Sequence, residues 1–191
     1  MQTLREYLDS STEVLRATRD TLATAEVERA IAATTAALAA GKPLLICGNG
    51  GSAADAMHIA GELVGRFLKE RRALKAIALS ADPAVLTAWG NDYGYDGVFA
   101  RQTEAYGEAG GILLAISTSG NSANVIAAAA AAKTKEMSVI ALTGEGGGKL
   151  GALADILLAV PSRSTPLIQQ AHLCLYHYFC AEIERRIAAS P

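Results

Sequence analysis

Five short runs of unbroken apolar residues punctuate the chain: Leu44-Leu45-Ile46-Cys47, Ala76-Ile77-Ala78-Leu79, Ile112-Leu113-Leu114-Ala115-Ile116, Val139-Ile140-Ala141-Leu142 and Ile156-Leu157-Leu158-Ala159-Val160. Each is bounded on at least one side by Gly, Ser, Asp, Thr or Pro. Continuous rather than alternating hydrophobicity means burial on both faces, as in a parallel sheet. Helical patterns separate most of the runs, and that alternation predicts a doubly wound α/β fold.

The flanks read as helix. Leu4, Leu8, Val14 and Leu15 form an approximate apolar stripe, and Val27, Ala30, Ile31 and Leu38 a clearer one, interrupted by Thr34. Gly41 and Pro43 stop the second helix. A long final helix is expected from Thr165 to about Ile187, with Pro166 in its first turn. Neither an interdomain linker nor an internal repeat is visible. The expectation is one domain over 1–191, with residues 1–40 as additional N-terminal helices.

Composition narrows the setting. Half of the chain (51%) is hydrophobic, largely through alanine, but no apolar run reaches the ~18 residues that cross a bilayer. The opening residues are charged and amphipathic, without the apolar core of a secretory signal, so a cytoplasmic protein is expected, with no membrane partner. A formal net charge of -2 offers no electrostatic footprint for nucleic acid. Cys47, Cys174 and Cys180 form no CxxC pair and read as reduced, mostly buried thiols.

Candidate chemistry gathers in two loops and two helices. Gly48-Asn49-Gly50-Gly51-Ser52 follows the first strand and opens a helix, where backbone amides and the helix start favour an anion. An ordinary strand-to-helix turn would look similar. The motif is neither a GxGxxG fingerprint nor a P-loop. Ser117-Thr118-Ser119-Gly120-Asn121-Ser122 follows the third strand. Helix capping needs one hydroxyl; four in one short loop favour a nest for phosphate oxygens. His58 and Glu62, four apart on the helix after the first loop, suit either a solvated pair or a shared metal ion. Arg66 continues that face. On the last helix, His172 and His177 lie about 60° and 80° from Gln169 on opposite sides, so the two histidines can hardly serve one site. Spacing alone does not choose between them.

The stretches CGNGGSAADAMHIAGELVGRF, LTAWGNDYGYDGVF, ISTSGNSANVI, VIALTGEGGGKL and TPLIQQAHLCLYH, in this order, resemble the sugar isomerase (SIS) domain family, and within it the phosphoheptose isomerases. The similarity runs from about Gly41 to Ile183. It implies a flavodoxin-like three-layer α-β-α sandwich with a five-stranded parallel sheet, and a homotetramer with active sites near subunit interfaces, where the N-terminal helices would pair. It implies isomerisation of sedoheptulose 7-phosphate to D-glycero-D-manno-heptose 7-phosphate through a cis-enediol. Substrate contacts map onto Asn49, Gly50, Gly51, Ser52, Glu62, Asn91, Asp92, Ser117, Thr118, Ser119, Ser122 and Gln169. One zinc ion per site maps onto His58, Glu62, Gln169 and His177, which selects His177 over His172 and leaves His172 a structural role. Glu62 and His177 map as base and acid; a carboxylate tied to zinc is a poorer base, and the sequence does not resolve that tension.

Two other readings belong to the same family. Some members are non-catalytic tetrameric scaffolds that bind the replication initiator, and in these the resemblance implies replacement of the Glu and the second His; this chain keeps Glu62 and His177. Others isomerise or sense another sugar phosphate, such as an amino-hexose phosphate; the quartet His58, Glu62, Gln169 and His177 argues for the heptose branch.

Overall fold

The structure is a computed structural model that describes residues 2–189. All five apolar runs are strands: β1 (Leu44–Cys47), β2 (Ala76–Ala78), β3 (Ile112–Ser117), β4 (Ser138–Thr143) and β5 (Ile156–Ala159). They pair in parallel in the order β2-β1-β3-β4-β5, with Leu44 opposite Ile112 and Ile112 opposite Ser138. Eight α-helices are described: α1 (Leu4–Thr21), α2 (Thr24–Ala39), α3 (Gly51–Val64), α4 (Pro83–Tyr93), α5 (Val98–Tyr106), α6 (Ala123–Thr134), α7 (Gly148–Gly151) and α8 (Thr165–Ala188).

The strand period of two sorts each apolar run into two cores. Leu44, Ile46, Ile112, Leu114, Ile140 and Leu142 face Ile31, Leu38, Ile59, Leu63, Phe179 and Ile183 of α2, α3 and α8. Leu45, Cys47, Leu113, Ala115, Val139 and Ala141 face Phe99 of α5 and Val125, Ala128 and Ala132 of α6. The alanine-rich stretch of α6 is thus a buried face, where small side chains let the helix approach the sheet. The result is the three-layer flavodoxin-like sandwich expected from the sequence.

Strand order reverses between β1 and β3, and in open sheets ligands bind beyond the carboxyl ends of the strands at that switch point. Both loops rich in glycine and hydroxyls leave the sheet there. The α2 stop is also as read: Gly41, at φ 74°, lets Lys42 N–H reach the Ala37 carbonyl at 2.9 Å and Gly41 N–H the Leu38 carbonyl at 3.1 Å.

Two details sharpen the sequence reading. In α1, Leu4, Leu8 and Leu15 are exposed, whereas Val14 packs on the cluster of Val160, Ile168 and Ala171. The stripe therefore does not seal α1 against its own chain. Among the cysteines, Cys47 and Cys180 are buried, and burial pushes both thiols up to about 12, so they are inert. Cys174, exposed on α8, is the exception among the mostly buried thiols. No helix among the described residues is long and apolar enough to cross a membrane.

Candidate active site

A cavity of about 300 Å³ opens at the switch point, lined by Asn49, Gly50, Gly51, Ser52, Ser117, Thr118, Ser122, Thr165 and Gln169. Three helices begin at its wall: α3 after Gly50, α6 after Ser122 and α8 after Ser164. None of the three has a side-chain cap. A helix N-terminus leaves amide hydrogens unpaired and carries partial positive charge. Three uncapped N-termini around one polar cavity make a site for an anion.

In the Ser117–Ser122 loop no hydroxyl caps the helix that follows. Ser122 precedes α6, yet its hydroxyl lies 3.0 Å from the Ser117 hydroxyl and not on the helix amides. Ser119 accepts from Asn121 N–H at 3.1 Å and lies 3.5 Å from Ser117 Oγ. The hydroxyls form a cluster beside the cavity, the arrangement expected of an oxyanion nest. Asn49 is held from behind: its amide exchanges two hydrogen bonds with Asn124, at 2.8 and 2.9 Å, and its Oδ1 also accepts from Tyr95 OH at 3.3 Å.

The second constellation sits farther along α3 and α8. His58 Nε2 is 3.0 Å from Glu62 Oε1, and the rings of His58 and His177 are 5.0 Å apart, edge to face. One donor atom from each of His58, Glu62 and His177 falls within 4.8 Å of the others. Two imidazole nitrogens and a carboxylate oxygen are a donor set that zinc accepts. Behind them, Tyr176 OH lies 3.0 Å from His58 Nδ1 and can fix the tautomer of that ring. Burial, reinforced by the nearby Asp55 carboxylate, pushes the Tyr176 phenol up, so it stays a neutral hydroxyl. Burial likewise raises the Asp55 carboxyl, a rise that a hydrogen bond from Tyr176 opposes.

His172 has no part in this cluster. It is fully buried, its Nε2 lies 3.0 Å from the Thr143 carbonyl, and Nδ1 has no partner among the described residues. Burial lowers its pKa from 6.5 to about 4, against the opposing effect of the Thr143 hydrogen bond. The unfolded chain therefore takes up this proton near pH 6.5 and the folded chain near pH 4. Stability is unaffected above that window and falls as pH drops through it, by roughly 3 kcal/mol in all. Urea midpoints at pH 7.5 and 5 should show the drop, and His172→Gln should flatten it.

Comparison with known proteins gives the family and supports the fold. The SIS domain family model matches residues 6–144. A phosphoheptose isomerase of Rhodospirillum rubrum is 52% identical over 158 residues, which span 83% of this chain and 84% of that protein. Another, from a Geobacter species, is 46% identical over 98% of this chain and 97% of its own length. The phosphoheptose isomerase structure from Neisseria gonorrhoeae matches with a TM-score of 0.89 at 43% identity, covering 96% of this chain and 100% of that one. The chain belongs to the SIS domain family. Within it the chain groups with the phosphoheptose isomerases, and it is an enzyme of the isomerase class.

On this SIS domain the sequence-derived residues divide into groups. Asn49, Gly50, Gly51, Ser52, Ser117, Thr118, Ser122 and Gln169 line the cavity, with Ser119 in its hydroxyl cluster. His58, Glu62 and His177 come together on the helices. Gln169 lies about 12 Å of helix rise from His177, and its amide is seated against Gly51, at the cavity end. Asn91 and Asp92 are exposed on α4, bonded to each other at 2.8 Å, and are not among the residues that line the cavity; from the turn after α4, Tyr95 OH donates to Asn49 at its wall. Arg66 is exposed just beyond α3. Sequence reading missed Asp55, Tyr176, Asn124 and Thr165. Asp55 was findable, because it stands three residues before His58 and seven before Glu62 on one helix face. Tyr176 and Asn124 carry no such signal, since their partners come from distant parts of the chain.

Proposed function

We propose that this enzyme interconverts sedoheptulose 7-phosphate and D-glycero-D-manno-heptose 7-phosphate. The observation that carries the reading is the convergence of Glu62 with His58 and His177 on the helices that rise from an anion-binding cavity. From Gly51 to His58 the helix rises about 10 Å. A phosphate in the nest would leave an extended seven-carbon chain reaching toward the cluster, whereas a triose phosphate would fall short.

In the proposed reaction the phosphate oxygens accept from the N-termini of α3, α6 and α8 and from the hydroxyls of Ser117, Thr118, Ser119 and Ser122. Glu62 removes a proton from C1 of the open-chain ketose, and the C1–H electron pair becomes the C1–C2 double bond of a cis-enediol. Glu62, whose carboxyl proton exchanges with solvent, delivers a proton to C2. His177 moves the second proton between the oxygens on C1 and C2, the work of an imidazole held within reach of both. His58, Glu62 and His177 would hold one zinc ion; Gln169, the fourth ligand that the resemblance implies, is seated at the cavity end against Gly51 and would have to turn toward them to join. When bound, that ion supplies polarisation of the carbonyl and hydroxyl oxygens.

The test is NMR of the metal-supplied protein with sedoheptulose 7-phosphate in deuterated water. Aldose heptose 7-phosphate carrying deuterium at C2 is expected. A ketose that stays unchanged, with no exchange at C1, sinks the proposal. An amino-hexose phosphate is the comparison substrate, and turnover of it alone would move the reading to that branch. The remaining family reading is a homotetramer, supported by the exposed Leu4, Leu8 and Leu15 face of α1 together with Leu173 and Tyr178 of α8. Light scattering should return four times the chain mass of 19.7 kDa; the monomer mass would refute it.

A further inference from the structure

The segment between α3 and β2 has little regular structure of its own, yet a buried carboxylate takes up three of its amides. Glu184 on α8 is 1% exposed. Its oxygens accept from Phe67 N–H at 2.9 Å, Leu68 N–H at 2.6 Å and Lys69 N–H at 2.7 Å. Arg71 completes the arrangement. Its guanidinium lies 3.3 Å from Glu184 Oε1, and both side chains are almost fully buried. It also donates to the Glu62 carbonyl at 2.7 Å and the Gly65 carbonyl at 2.6 Å, where the last turn of α3 leaves carbonyls unpaired. Burial alone would raise the Glu184 carboxyl, but the three amides and Arg71 outweigh it and hold the group ionised.

The same segment touches the chemistry. The Phe67 ring stacks on the His177 imidazole, with centroids 5.6 Å apart and planes 14° apart. Glu184 lies two turns beyond His177, on nearly the same face of α8. One ion pair therefore joins three things: the main chain of Glu62, the helix that carries His177, and the ring that covers His177. Stability alone is a poor reason for it. A buried ion pair seldom outperforms well-packed apolar residues, and here Arg71 Nε has no partner among the described residues. What such a pair supplies is fixed geometry.

We propose that Glu184, Arg71 and Phe67 are positioning residues, a clamp that fixes the separation of Glu62 and His177 and the plane of the His177 ring. This rests on the reading of Glu62 and His177 as the proton-transfer pair. Misplacing reacting groups by an ångström costs on the order of a hundredfold in rate. None of the three need touch the sugar, so the loss should fall on kcat and leave KM nearly unchanged.

Three variants test the clamp. Glu184→Gln keeps the shape but turns an amide group toward donors. Phe67→Leu keeps an apolar side chain without the flat ring, and Phe67→Tyr keeps the ring. Steady-state kinetics on the proposed heptose phosphates should show kcat reduced tenfold to a hundredfold in Glu184→Gln and about tenfold in Phe67→Leu, with KM within about threefold. Phe67→Tyr should recover most of the loss. The His177 ring resonances, assigned by their disappearance in His177→Gln, should move in Glu184→Gln and Phe67→Leu and return toward the parent position in Phe67→Tyr. If Glu184→Gln does not fold, the two Phe67 variants carry the test. Folded variants that keep both kcat and the His177 resonances overturn the clamp, as does a loss that appears in KM alone. If the unmodified protein turns over no heptose phosphate, the proposed function fails. The clamp is then judged by the His177 resonances: unmoved signals refute it and moved signals uphold it.

Discussion

Glu62→Gln should slow isomerisation by about a thousandfold while melting like the parent protein. General acid–base catalysis contributes roughly 10²–10⁴ in rate, and an amide cannot take a proton from carbon. The side chain is one-fifth exposed and its polar contact is His58 Nε2 at 3.0 Å, a bond that a glutamine oxygen can keep. Folding therefore has little to lose, and urea midpoints of parent and variant should agree closely. The carboxylate could instead serve only to hold a metal ion. In that case glutamine weakens metal retention, and excess zinc restores the rate. Activity should thus be measured across a zinc titration, together with deuterium exchange at C1. A loss that zinc does not repair, with exchange also abolished, assigns Glu62 as the base. A rate within tenfold of the parent at saturating zinc removes it from that role.

The fold was legible because a sheet buried on both faces leaves an unambiguous pattern. Leu44-Leu45-Ile46-Cys47 cannot be a surface strand, and the structure sends its alternate residues into two different cores. The loops that line the cavity were legible for a related reason: glycines and hydroxyls concentrated at the carboxyl ends of strands have little structural purpose there. Ser122 shows the limit, since only the structure reveals that its hydroxyl turns toward Ser117 and does not cap the helix. The choice between His172 and His177 is a second limit. Both lie on one helix, and what separates them is the Thr143 carbonyl for one and His58 for the other. The sequence keeps no record of such distant neighbours. The Glu184 clamp shows this most sharply, because its partners stand more than a hundred residues away and its own surroundings in the chain read as a solvated helix end. The outward turn of Leu4, Leu8 and Leu15 has another origin: periodicity marks a face as apolar without saying which chain covers it.

Gly120→Ala should destabilise the protein by at least about 3 kcal/mol and raise KM for a sugar phosphate more than it lowers kcat. Gly120 has φ +64°, where an L side chain costs roughly 1–2 kcal/mol. More is lost to the neighbouring loop. A Cβ at this position would collide with the Gly147 carbonyl, and Gly148 is equally confined, its own Cβ site lying 2.7 Å from Gly120 and Ser119 backbone atoms. The loop after β4 and the hydroxyl loop after β3 are thus pressed backbone to backbone, which is what the missing side chains of Gly120 and Gly148 permit. Leu150 N–H donates to the Gly120 carbonyl at 2.9 Å and Lys149 N–H to Asn121 Oδ1 at 3.2 Å, so the second loop holds the first in shape. Forcing them apart must move Ser119 and Ser122, the groups proposed to take the phosphate. Gly146→Ala is the control: its φ is +78°, but nothing lies within 4 Å of a Cβ there, so it should cost only the conformational term of roughly 1 kcal/mol and leave KM alone. If urea denaturation shows the two variants equally stable, backbone contact does not shape the nest. If Gly120→Ala loses stability but keeps its KM, the hydroxyl loop does not bind the phosphate.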